Sequence, residues 1–357
     1  MDHKYGKIFA GAASLALAAT SLGAAAVVAD NHGDSYTIGV SNTTQGNGWR
    51  EEMICSIKAQ AAASGEVAGL NIAHRNTDSA GQLEDLRNLI ADGVDAIILN
   101  PSDPAALDGA IAEAAAAGIP VISVDAATTA PESYTISNEQ VEYARLGARW
   151  LFEELGGEGN VFYMRGAAGH PADDDRDVGF QEVLAEYPGI TIINEVHTGW
   201  QQDQGKQQML EMIASGQQID GVWTSGIDNV IVDAYLESEE PLVPIVGADN
   251  AGFVGYLANV EGFTGAGVTN PGTVGGAGVT LALQILNGEL PQTPPDAESS
   301  LVTVDPVLMA NNTEEGQALI AAAQNPDLDP EWPVGLQVPG WTTYTNEALI
   351  ECLGPGE

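Results

Sequence analysis

Short apolar runs recur along this chain, each followed by a polar turn and an amphipathic stretch, and that rhythm constrains the fold more than any single residue. The segment "DGVDAIILNPSDPAAL" (92–107) shows the unit. "AIIL" is a continuous apolar run, as expected of a parallel strand covered on both faces. Ser102 and Asp103 then offer helix-capping oxygens, with Pro104 at the first helical position. The same reading predicts strands at 36–41, 68–74, 94–99 and 119–124, with helices at 79–92 and 103–117. It predicts further strands at 160–164, 190–196, 219–224, 243–247 and 264–268. Two sets of βα units imply an α/β protein with two doubly wound domains and parallel sheets. A Pro-rich break, "LPQTPPDAESS" (290–300), precedes a last strand, "LVTVDPVLM". A tail follows, with a short helix near 314–323 and an irregular stretch whose Trp332 and Trp341 are expected to pack against a domain.

Composition removes several partners. The 357 residues carry 11 Lys+Arg against 50 Asp+Glu, a net charge of −39. Such a surface repels nucleic acid and anionic lipid. The acids are scattered through patterned elements rather than gathered in a tail, which fits a folded protein built for high salt, where self-repulsion is screened. Lys4 and Lys7 precede a small-residue apolar run, Ile8 to Ala29, that ends at "VVA" before Asp30. Residues 1–29 therefore read as a cleaved secretory signal, and the mature chain as periplasmic. Two cysteines, Cys55 and Cys352, leave two alternatives in an oxidising compartment: a bridge tying the tail to the first helix, or two free buried thiols.

Open parallel sheets present functional residues just beyond the carboxyl ends of their strands. There the sequence places "TTQGNGWR" after the first strand, Asp125 after "PVISV", and "GAAGHPADDDR" after "VFYMR". "TGWQQD" follows "NEVH", "SGIDN" follows "GVWT", and "ADN" follows "PIVG". Trp49 and Trp200 each have a plain reading as core anchors. Their equivalent placement in opposing domains favours two jaws around a ligand. A sugar has apolar C–H faces that stack on aromatic rings and a rim of hydroxyls that needs partners once water is expelled. Carboxylates and amides supply them, each charge-assisted bond contributing roughly 1.5–3 kcal/mol. Asp125, Asp249 and Asn250 are residues of that type, and Asp249 also reads as the N-cap of the helix "AGFVGYL". Gly46 and Gly48 read as room for a ligand to approach the backbone.

Catalytic and cofactor signatures are poor by comparison. "GAAGHP" (166–171) and "GGAG" (275–278) lack GxGxxG spacing, and there is no GxxxxGK[ST], GxSxG or HExxH. "DDDRD" (173–177) lacks the alternating ligands and glycine of a calcium loop. No metal and no cofactor are expected. A secreted carbohydrate-active enzyme using two cleft carboxylates is the alternative from another class.

Taken in order, "GVDAIILNPSDPAAL", "AGIPVISVDA", "GFQEVLAEYPGI", "IVGADN" and "TNPGTVGGAGVTLALQILNGE" resemble the type I periplasmic binding proteins of the ribose-, galactose- and galactofuranose-binding group. These are the solute receptors of ABC importers, and the match runs from about Tyr36 to about Leu308. The resemblance implies two Rossmann-like lobes joined by three crossings, with a monomer closing on one monosaccharide or polyol and delivering it to a membrane permease. It puts the first lobe at 34–137 plus 270–298, the second at 138–269 plus 299–310, and a packed tail at 311–357. Crossings are expected near Ser137/Asn138, Thr269/Asn270 and Ser299. Asn47 would hydrogen-bond, Trp49 and Trp200 would stack, and Arg50, Asp125 and Asp249 would bind hydroxyls, with Thr269 in the place of a hinge glutamine. The chain departs from the family at Ala126, where an arginine is common, and at Asp174, with Arg176 two residues on. It departs again at Gly226, leaving Asp228 and Asn229 as stand-ins. Those departures keep a cationic or other small polar solute as a further alternative, and a role in chemotaxis or sensing would use the same closed form.

Overall fold

The computed structural model describes residues 35–297 and 299–357. The expected signal segment, 1–29, lies outside them. The first sheet contains β1 (Tyr36–Asn42), β2 (Val67–His74), β3 (Ala96–Leu99), β4 (Val121–Val124) and β5 (Ser133–Asn138). The second contains β6 (Glu158–Arg165), β7 (Gly189–His197), β8 (Gly221–Trp223), β9 (Ile245–Ala248) and β10 (Gly265–Val268). Late in the chain, β11 (Leu301–Val304) adds to the first sheet and β12 (Leu308–Ala310) to the second. The orders are β11-β5-β4-β3-β1-β2 and β12-β10-β9-β8-β6-β7. Every pairing is parallel except β12 on β10.

The helices are α1 (Gly48–Ser64), α2 (Ser79–Asp92), α3 (Asp108–Ala116), α4 (Gln140–Glu154), α5 (Pro171–Leu184) and α6 (Gln202–Ala214). They continue with α7 (Asp228–Glu237), α8 (Ala251–Asn259), α9 (Val274–Leu286), α10 (Glu314–Ala323) and α11 (Asn346–Glu351). Apolar clusters cover both faces of each sheet: around Ile38, Ile98 and Val279, and around Leu86 and Ile111, in the first lobe; around Phe180 and Trp223, and around Ile231 and Phe253, in the second. Local chemistry sets the helix ends. The α1 N-cap Asn47 accepts from Arg50 N at 3.1 Å, and Gly65 ends the helix with φ +70°. The α2 N-cap Asp78 accepts from Gly81 N at 3.0 Å.

Several expectations need correction. The strand after the Pro-rich break is two strands in different sheets, because Asp305–Pro306 interrupts the run and proline cannot donate to a ladder. Residues 301–304 pair with β5, Leu301 opposite Thr135, so they belong to the first lobe rather than the second. The third crossing thus follows Val304, and Ser299 lies in the loop leading into β11, its N–H donated to Asp296. Strand β5, "SYTISN", was not anticipated, since its polar residues mask a strand that is buried throughout. Finally, α3 begins at Asp108, and Asp103 Oδ1 instead closes a turn, accepting from Ala105 N and Ala106 N.

The tail makes a further passage between the lobes. Helix α10 packs on α8 and β12 of the second lobe, while α11 packs on α1 of the first. Cys352 is disulfide-bonded to Cys55, 297 residues earlier. Trp332 joins a cluster with Cys55, Leu336 and Leu349, and Trp341 packs against the core of the first lobe.

Candidate functional site

The carboxyl ends of both sheets face a cavity with about 500 Å³ of atom-free space, its mouth included. Asn47, Trp49, Arg50, Asp125 and Asn270 line it from the first lobe and the crossing. Ala172, Arg176, Trp200, Gly226, Ala248 and Asn250 line it from the second lobe, and Glu331 and Pro333 from the tail. Each sheet reverses strand order beside its first strand, β1 or β6, which is where open α/β sheets leave a crevice.

Trp49 sits in the first turn of α1 and donates its indole N–H to Asn270 O at 2.6 Å. Trp200 is held by its own lobe. Its φ is +53°, its ring meets His170 edge-on at 5.0 Å, and it occupies space that a Cβ on Gly166 would invade at 2.1 Å. Asp125 has φ +71°. Non-glycine residues in the left-handed region carry strain of about 1–3 kcal/mol each, and such strain clusters at functional sites.

A polar network fixes the charged groups. Asp125 Oδ1 accepts from Gln140 Nε2 at 3.0 Å and Oδ2 from Asn100 Nδ2 at 3.4 Å. Gln140 Oε1 in turn accepts from Arg176 Nε at 2.7 Å, and Arg176 lies 4.3 Å above the Tyr143 ring. Burial pushes the Asp125 carboxyl above its ordinary value, while Arg50 and Arg176 pull it back. Arg50 donates to Asn42 Oδ1 at 2.9 Å and reaches His170 Nε2 of the other lobe at 3.0 Å. Burial, with Arg50 and Arg176 nearby, holds His170 well below the usual histidine range, so the ring is neutral. A neutral imidazole has one acceptor nitrogen, and Arg50 faces Nε2 while Ala172 N faces Nδ1, so the tautomer lets the ring accept from only one of them. A second bond between lobes runs from Asn47 Nδ2 to Trp200 O at 3.0 Å.

Four expected ligand residues stand off the cavity. Asp174 is exposed, 3.8 Å from Arg165, because the inward face of α5 is taken by Ala172, Asp173 and Arg176. Thr269 joins two crossings instead: its hydroxyl oxygen accepts from Val307 N at 2.8 Å and its N–H donates to Val307 O at 2.9 Å. Asp228 is fully buried behind the wall, with Oδ2 accepting from Asn250 Nδ2 at 2.8 Å and Gly226 N at 3.1 Å. Asp249 is also fully buried. Its Oδ1 accepts from Asn270 N at 2.9 Å, and the N-cap of α8 is Asn250, which accepts from Phe253 N. Burial pushes Asp228 up to about 7 and Asp249 up to about 6. Glu52 of α1 is fully buried too, and burial, with Asp249 adding to it, pushes it well above the carboxylate range.

Of the expected hinge residues, Asn270 lines the cavity, and Asn138 Nδ2 donates to Pro271 O at 3.2 Å, tying two crossings. Ser137 is buried within β5. The glycines differ from expectation. Gly46 adopts φ +81° in a turn, and the room left by Gly48 is filled by the tail, a Cβ there meeting Glu331 Cβ at 2.4 Å. Sequence reasoning missed Gln140, His170, Glu331 and Pro333. His170 had a visible signal, as a capping residue before Pro171 at a strand's carboxyl end, whereas the tail residues had none.

A family described as periplasmic binding protein domain matches residues 38–290. The xylitol-binding protein of Mycolicibacterium smegmatis is 32% identical over 243 residues, covering 66% of this chain and 68% of that protein. The galactofuranose-binding protein of Escherichia coli is 28% identical over 216 residues, 58% of this chain and 67% of that protein. Among solved structures, an ABC transporter solute binding protein from Thermobispora bispora superposes with a TM-score of 0.74 at 24% identity. It covers 89% of this chain and 94% of that one. A galactofuranose binding protein superposes with a TM-score of 0.70 at 22% identity, over 80% and 99%. These two likenesses speak to the fold.

Proposed function

The chain belongs to the periplasmic binding protein domain family, and from that premise we propose that it is the solute receptor of an ABC importer, binding a neutral polyol or monosaccharide between its lobes. The observation that carries this is one cavity faced by two indoles from opposing lobes, with Asp125, Arg50 and Arg176 fixed around it. The indoles suit the apolar faces of a carbon chain or ring, and the fixed polar groups suit its hydroxyls. The relatives named for xylitol and galactofuranose support the same class of ligand.

Lobe closure is the working step, and no bond in the solute is made or broken. A solute touching both lobes stabilises the closed arrangement by its differential affinity for it. The bonds between Asn47 and Trp200 and between Arg50 and His170 belong to that closed arrangement. In this reading residues 1–29 direct export and are removed, the mature protein works as a periplasmic monomer, and the acid-rich surface suits high ionic strength.

The test is a thermal-shift and tryptophan-fluorescence screen of xylitol, ribose, galactose and related polyols. A binder at 100 times its dissociation constant adds about 2.7 kcal/mol to stability, well within detection. A panel with no shift in melting and no change in fluorescence sinks the receptor reading.

A further inference from the structure

We propose that residues 325–357 form a disulfide-anchored strap that ties the two lobes together and closes one side of the solute cavity, with Glu331 as a specificity-determining carboxylate. The Glu331 role rests on the receptor reading above; the tie between lobes does not.

The strap has two anchors on opposite sides of the cleft. On the second lobe, Ala251 N donates to Trp332 O and Gly252 N to Pro330 O, both at 2.8 Å, and Val334 N donates to Asp249 O at 2.9 Å. These bonds use the entrance of α8, beside the cavity residue Asn250. Beyond Gly335 every anchor is on the crossing or the first lobe. Thr273 Oγ1 donates to Gly335 O at 2.9 Å, Thr280 Oγ1 to Trp341 O at 2.6 Å, and Thr343 N to Gln60 Oε1 at 2.8 Å. The Cys55–Cys352 bond then fixes the end of the strap to α1. A lobe rotation that opens the cleft has to stretch the chain between Val334 and these anchors.

Glu331 stands where the strap meets the cavity. Its backbone packs against Gly48 at the start of α1, where a Cβ would come within 2.5 Å of Glu331 O. Burial, with Asp329 adding to it, pushes the Glu331 carboxyl above its ordinary value, while the Gly48 N–H at the electropositive end of that helix pulls it back. The cavity's other charges, Arg50, Arg176 and Asp125, are two positive and one negative, so a fourth, negative group leaves the wall balanced. A balanced wall suits a solute with hydroxyls and no net charge, and disfavours a carboxylate on the solute.

Two measurements decide this. In the first, small-angle scattering of the ligand-free protein compares the native chain with one ending at Gln324 and with Cys55→Ala/Cys352→Ala. The double-alanine chain keeps the strap's hydrogen bonds and serves if the truncated chain fails to fold. A larger radius of gyration in a folded variant is expected; an unchanged radius in the truncated chain overturns the tie, and an unchanged radius in the double-alanine chain overturns the disulfide as its anchor. In the second, calorimetry compares xylitol with xylonate and ribose with ribonate, on native protein and Glu331→Gln. The native protein is expected to prefer the neutral member by at least about 100-fold, and the variant to reduce that preference about tenfold or more. An unchanged preference overturns the role of Glu331. If the native protein binds neither neutral solute, nor any in the wider polyol panel, the receptor reading falls and takes Glu331 with it, while the scattering result stands by itself.

Discussion

Trp49 and Trp200 are the same residue type in corresponding loops of the two lobes, and they are held in opposite ways. Trp49 enters on a regular helical turn and gives its only polar atom to Asn270 at the crossing. The Trp200 ring gets its place from a left-handed backbone, an absent side chain at Gly166 and the edge of His170, all in its own lobe. A change at Trp49 therefore acts on both the ligand platform and the hinge, whereas a change at Trp200 acts on the platform alone.

The largest effect should come from Trp49→Ala, which removes the platform and its tie to the crossing. Loss of a packed aromatic is worth about 3 kcal/mol or more, so affinity should fall at least about 100-fold in calorimetry. Affinity equal to native would remove Trp49 from the site. Cys55→Ala/Cys352→Ala removes the covalent anchor of the tail on α1, the helix that carries Trp49. In chemical denaturation it should lower stability by about 2–4 kcal/mol, and a midpoint equal to that of the oxidised native protein would contradict this.

Gly166→Ala tests the Trp200 side. Its methyl claims the space of the indole, so affinity should drop about tenfold, equivalent to about 1.4 kcal/mol, with little change in far-ultraviolet circular dichroism. Asp228→Asn probes the support behind that side, where Asp228 accepts from Gly226 N and Asn250. The folded protein keeps the Asp228 proton up to about pH 7, whereas an unfolded aspartate loses it near about 3.9. This group thus favours folding most below about pH 4, and its contribution is lost as pH climbs through 7. The asparagine variant should flatten the fall in stability over that window, and an unaltered pH profile would count against a buried, protonated Asp228. The smallest effect belongs to Trp49→Phe, which keeps an aromatic face and loses one hydrogen bond, about 1 kcal/mol. If it proved as damaging as the alanine, the link to Asn270 would matter more than the ring.

The same asymmetry explains what could be read in the sequence. Trp49 lies seven residues past the end of β1, in a pattern that local chemistry writes plainly: an apolar strand, an N-cap asparagine, a helix. Most strands of both sheets were legible for the same reason, since a parallel strand buried on both faces commonly reads as a near-continuous apolar run. Strand β5 escaped because its serines, threonine and asparagine find partners within the fold, as when the Ser123 and Thr135 hydroxyls meet at 2.7 Å. Asp228 and Asp249 have the right type and position for ligand contact, and only the packing shows that both turn inward to hold neighbours in place.

The sequence by itself determined two βα sheets and the loops at their carboxyl ends, because periodicity and capping act over a few residues. The tertiary structure alone decided which carboxylates reach the cavity, that Cys55 meets Cys352, and that Glu331 and Pro333 return to the cleft from the tail. Those outcomes join residues hundreds of positions apart. Their energies come from long-range packing and burial, which no short window of sequence encodes.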